Sequence, residues 1–142
     1  MVQEEKDLLL KDLCARLPYK VKCCIYNFGE DTIRIKEDVL WSVQGDNILT
    51  LKSCIEKGEA YMYHQIKPYL FPLSSMTEEQ YNEFFSYYHN IEMVEVKSSG
   101  DYLKATYIGD DAKYSWLNSH HFDYRGLIGK GLAIDATGLN IY

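Results

Sequence analysis

Apolar positions along this chain follow two periods in turn. Leu10, Leu13, Cys14 and Leu17 recur at i, i+3, i+4 and i+7, one face of a helix, with Lys11, Asp12 and Arg16 elsewhere on the wheel. Pro18 biases the residue before it away from helical dihedrals, so this helix is expected to run from Leu8 to about Arg16. The period then drops to two. From Val21 to Phe28, Val21, Cys23 and Ile25 alternate with Lys22, Cys24 and Tyr26, the signature of a half-buried strand. Gly29-Glu30-Asp31 supplies a turn, and Ile33 and Ile35 answer between polar neighbours over Thr32 to Lys36. A third run, Val39 to Val43, reaches Gln44-Gly45-Asp46-Asn47 and is followed by Ile48 to Lys52. Short turns between alternating runs predict an antiparallel meander.

The second half changes character. Ile66 to Leu73 is almost wholly apolar but carries Pro68 and Pro72, which argue against a regular helix or a central strand and for an extended cover over the core. Thr77-Glu78-Glu79-Gln80 reads as a capping box, with Met76 placed to staple against Tyr81, and Tyr81, Phe84, Phe85 and Tyr88 continue at helical spacing. Ile91 to Lys97 and Tyr102 to Ile108 flank Ser98-Ser99-Gly100-Asp101 as a second hairpin. Asp110 or Asp111 can cap a helix from about Ala112 to His121, and Asp123 can start a short one over Tyr124 to Lys130, ended by Gly129 and Gly131. These elements predict one α+β domain over residues 1–142: an antiparallel sheet of five to six strands, meander plus hairpin, covered by two to three helices.

Charge and composition narrow the function classes. A net charge of −6 without a basic stripe disfavours nucleic acid as a partner, because phosphate contacts supply most of that affinity. Thirteen tyrosines suit half-buried strand positions and partner surfaces. The acidic start of the chain lacks the basic and apolar regions of a signal peptide, and no window approaches eighteen apolar residues. A cytoplasmic location with no membrane partner is the expectation. Cys14, Cys23, Cys24 and Cys54 show no C-x-x-C spacing and read as reduced thiols, with Cys23 and Cys24 on opposite faces of a strand and Cys14 on an apolar helical face.

Candidate chemistry is densest between Trp116 and Ile128. His120, His121 and Asp123 are ligand types for a divalent metal, yet adjacent helical residues diverge by about 100°, and no H-x-x-x-H spacing occurs. Ser119 beside His120 has no flanking nucleophile-elbow glycines, and Gly126, Gly129 and Gly131 follow Arg125 instead of preceding a helix as phosphate loops do. No catalytic residue, metal or cofactor is therefore expected. Trp116, His120, His121, Asp123, Tyr124 and Arg125 are the expected binding residues, for a protein partner, since Tyr, Trp and Arg dominate binding hot spots. The alternative is a small enzyme or ligand-binding domain with the His120 to Arg125 segment lining a pocket. Asp123 as a cap and a core histidine are the purely structural reading of the same residues.

Three phrases carry a resemblance: Leu8 to Tyr19, Ile66 to Glu79, and Trp116 to Ile134. Together they resemble a group of small uncharacterised proteins of Bacteroides-type bacteria and their phages and mobile elements, which often carry an acidic residue where Gly129 stands. The resemblance implies a phage or mobile-element setting and supplies neither activity nor site residues.

Overall fold

The computed structural model describes residues 2–27, 32–44, 48–52, 61–84 and 113–142. Helix α1 spans Gln3–Arg16, and a 3-10 turn over Leu17–Tyr19 takes it into strand β1, Lys22–Asn27. Strand β2 covers Thr32–Gln44 as one thirteen-residue element where the sequence suggests two runs, and β3 covers Ile48–Leu51. Strand β4, Ile66–Pro72, leads through a 3-10 turn at Leu73–Ser75 to helical residues 78–84 (α2). Helical residues 113–119 (α3) precede two short strands, β5 at Phe122–Asp123 and β6 at Ile134–Asp135. The expected hairpin between Ile91 and Ile108 and the caps Asp110 and Asp111 lie outside the described residues.

The result is an α+β fold on a six-stranded sheet in the order β3-β2-β1-β4-β5, with β6 also pairing β4. The meander β1-β2-β3 is antiparallel and so is β1 against β4, whereas β4 pairs β5 and β6 in parallel, so the sheet is mixed. The apolar stretch with two prolines is therefore a strand inside the sheet, not a cover lying over it. Alternation along β4 explains the tolerance: the Leu70 carbonyl accepts from the Ala136 N–H, so the Pro68 nitrogen, two residues back, faces the same side. Pairing with β6 begins only at Tyr69, and Pro72 ends the strand, so no ladder bond needs the missing donors.

Two layers of core flank this sheet. Leu9 and Leu13 of α1 pack on Val21, Cys23, Ile25, Leu40, Leu51 and Leu70, all buried. Cys24, Tyr69, Ala136 and Ile141 form a second cluster, so adjacent Cys23 and Cys24 do face opposite ways. Full burial of each leucine contributes roughly 1.5–3 kcal/mol. A third cluster gathers Trp116, Leu117 and Phe122.

Helix α1 buries a different stripe from the one its leucines suggest. Leu9, Asp12, Leu13 and Arg16 face the core at i, i+3, i+4 and i+7, while Cys14 is exposed. A hydrophobicity pattern reads Asp12 and Arg16 as solvent-facing, but here they neutralise each other inside, and that pairing rotates the helix.

Candidate functional site

Helix α3 ends two residues earlier than its sequence suggests, because His121 adopts a left-handed backbone with φ 63°. The chain then turns into β5, and the Phe71 N–H donates to the His121 carbonyl at 2.8 Å. No helix follows Asp123. Its carboxylate instead accepts the Leu127 and Ile128 N–H groups at 2.8 and 2.9 Å, capping a turn, and Gly126 at φ 75° breaks any helical continuation.

The six expected binding residues come together, but most of their polar groups are spent inside the fold. The Trp116 ring lies in the third cluster, stacked on His120 at 4.0 Å and on Phe122 at 5.9 Å. His120 Nδ1 lies 2.9 Å from the Trp116 carbonyl, beside the Ser119 hydroxyl that donates to the same oxygen. The Tyr124 hydroxyl donates to Asn118 Oδ1 at 3.0 Å, and the Arg125 guanidinium lies over the Tyr124 ring while donating to Asp12 at 2.9 Å. His121 stacks on Tyr142 at 3.7 Å, and its Nδ1 is buried without a hydrogen-bond partner among the described residues. Burial first, then the positive charges of Arg16, His120 and Lys22, depress its pKa to about 4, so the ring is neutral at pH 7.

Beneath this segment lies an ion-pair cluster of two arginines and one carboxylate. Asp12 accepts from Arg16 Nε at 2.7 Å with one oxygen and from Arg125 Nη1 at 2.9 Å with the other. Arg16 also donates to the Phe122 carbonyl at 2.6 Å, which fastens the C-terminal segment to α1. No group of three metal-ligating side chains is assembled among the described residues.

An open concavity lies elsewhere. A groove of about 490 Å³ has Leu73, Met76, Tyr81 and Phe84 on one wall and Lys113, Tyr114, Leu117 and Tyr124 on the other. Trp116 supports it from below, its ring 5.2 Å from Phe84. Of the expected residues only Tyr124 lines this groove. No family model, curated protein or solved structure matches the chain.

The other seven lining residues are outside the expected set, and three of them, Leu73, Tyr81 and Tyr114, are exposed. Tyr81 reads as an inward position of an amphipathic helix, yet it is 55% exposed. The only available signal is the excess of tyrosine, which says nothing about which ones reach the surface. Among the described residues no helix is long and apolar enough to cross a membrane.

Proposed function

We propose that this is a cytoplasmic accessory protein that works by holding a protein partner in the aromatic groove, in the phage or mobile-element setting that its three phrases resemble. The occupant in this reading is a partner segment that inserts a bulky apolar side chain between Tyr81 and Tyr114. The observation that carries it is the groove itself: three tyrosine rings, two leucines, a methionine and a phenylalanine around about 490 Å³ open to solvent. Aromatic rings supply large contact area at low conformational cost, and hot spots are built from them. Lys113 is the single charge on the described lining, which suits a partner that is apolar at the anchor and acidic beside it. The enzyme alternative has less support, because His120, Asp123 and Arg125 are already bonded within the chain and leave no base and acid converging on a cleft.

The test is affinity capture from host-cell lysate with wild type and with a Tyr81→Ser/Tyr114→Ser variant. Both side chains are exposed, so folding should be perturbed by only about 0.5 kcal/mol per site. The expected result is a partner retained by wild type and lost by the variant. A partner retained equally by both places the interface elsewhere, and no specific retention by either defeats the reading.

A further inference from the structure

A second pocket lies away from the groove, around Trp41. In the β2–β3 ladder Leu40 pairs Leu51 and Ser42 pairs Thr50, two steps along one strand against one along the other. Trp41 is the extra residue of a β-bulge, a device that re-aims a side chain at sheet rims and binding sites. Its neighbour Leu40 points into the core at 2% exposure, while the indole is turned out and left 56% exposed. The other tryptophan of the chain, Trp116, is buried.

The indole lines a cavity of about 240 Å³ together with Leu17, Pro18, Val39 and two lysines, Lys20 and Lys52. Lys20 ends the 3-10 turn in a left-handed conformation at φ 56°, with its N–H on the Leu17 carbonyl, so backbone geometry brings it to the rim. Lys52 directly follows β3. Among the described residues neither lysine has a carboxylate partner and no carboxylate lines the cavity, although the chain as a whole carries −6. The nearby Asp38 carboxylate accepts the Val39 N–H. The pocket therefore couples an open aromatic face to two positive charges that no carboxylate among the described residues compensates.

We infer that this pocket binds a mononucleotide, the base stacked on the Trp41 indole and the phosphate held by the Lys20 and Lys52 ammonium groups. Stacking on an aromatic side chain is open to any base, because each has a π-face. A phosphate monoester carries close to two negative charges at neutral pH, which two ammonium groups match. The cavity of about 240 Å³ is smaller than the roughly 300–1,000 Å³ typical of drug-sized ligand pockets, which limits the occupant to a single nucleotide. A strand is disfavoured by the net charge of −6, which opposes the repeated phosphate contacts that a polymer needs.

Tryptophan fluorescence reads the site directly, since Trp41 is exposed and Trp116 is not. Wild type would be titrated at low salt with adenosine, guanosine, cytidine and uridine monophosphates, with the unphosphorylated nucleosides and inorganic phosphate alongside. Calorimetry would compare wild type with Trp41→Ala and with Lys20→Asn/Lys52→Gln, all checked by circular dichroism; asparagine tolerates the left-handed backbone at position 20. The expected outcome is saturable quenching by at least one nucleotide. Binding should weaken about tenfold or more in each variant, and each half-ligand should bind about tenfold or more weakly than the whole nucleotide. No saturation at millimolar nucleotide, or undiminished binding in either variant, overturns the inference. So does tighter binding of an oligothymidine strand than of any mononucleotide.

Discussion

Asp12 serves two guanidinium groups with its two oxygens, and both it and Arg16 are 0% exposed, so neither charge has water to fall back on. Removing the carboxylate strands Arg16 in the core, and Asp12→Ala should lower unfolding stability in urea by about 3–5 kcal/mol. Arg125→Ala should cost clearly less, because Arg125 is 18% exposed at its side chain and Asp12 keeps Arg16. Equal costs would show that Asp12 depends on Arg125 for its neutralisation as fully as it does on Arg16. His121 adds a pH dependence. The unfolded chain takes this proton near 6.5 and the folded protein only near pH 4. Between those values the unfolded state holds more protons, so stability is intact above 6.5 and is lost as pH falls toward 4, by up to about 1.4 kcal/mol per unit. His121→Asn, which suits the left-handed backbone there, should flatten that slope by one proton in stability measured from pH 7 to 4. An unchanged slope would mean that the ring titrates in the folded state much as it does in the unfolded chain. A core histidine is a structural reading that the sequence offers, but the ion-pair cluster is not legible there. Lys11, Asp12 and Arg16 look alike on a helical wheel, and only the distant Phe122 carbonyl and Arg125 tell the last two apart.

At the level of elements the local signals held where the bonds were local. The Thr77 hydroxyl accepts the Gln80 N–H at 3.1 Å and Gln80 Oε1 accepts the Thr77 N–H at 3.0 Å, the reciprocal box that the tetrapeptide suggests. Thr77→Ala should therefore destabilise α2 by about 1 kcal/mol, read as a lowered midpoint in chemical denaturation with an unchanged slope. No shift would mean that α2 is held by packing alone. Local signals failed where the partner was remote. Pro68 and Pro72 argue against a central strand only if their nitrogens face a neighbour, and which way they face depends on a parallel pairing with β6, far later in the chain. The strands β5 and β6 are two residues each, too short to show any period. The candidate site divides the same way: the crowding around Trp116 was visible, but which rings it leaves at the surface is decided by packing against β4 and α2.

On the scale of the whole molecule the last residues close one face of the sheet. Ala136 and Ile141 cover Cys24 and Tyr69, the Tyr142 hydroxyl donates to the Tyr69 carbonyl at 2.9 Å and accepts the Lys22 N–H at 2.8 Å, and Lys22 Nζ donates to the Ile141 carbonyl. Cys23 lies on the opposite face beneath α1, and burial raises the pKa of both thiols, which keeps them protonated and inert. Removing residues 136–142 should uncover one face only. In a Cys54→Ser background, a thiol-labelling time course on wild type should show Cys14 reacting fast and Cys23 and Cys24 reacting only as fast as the core opens. In the truncated chain Cys24 should join the fast class while Cys23 remains protected. Simultaneous exposure of both cysteines would mean that the tail holds the entire sheet together, and continued protection of Cys24 would mean that β4 and Tyr26 shield it without the tail.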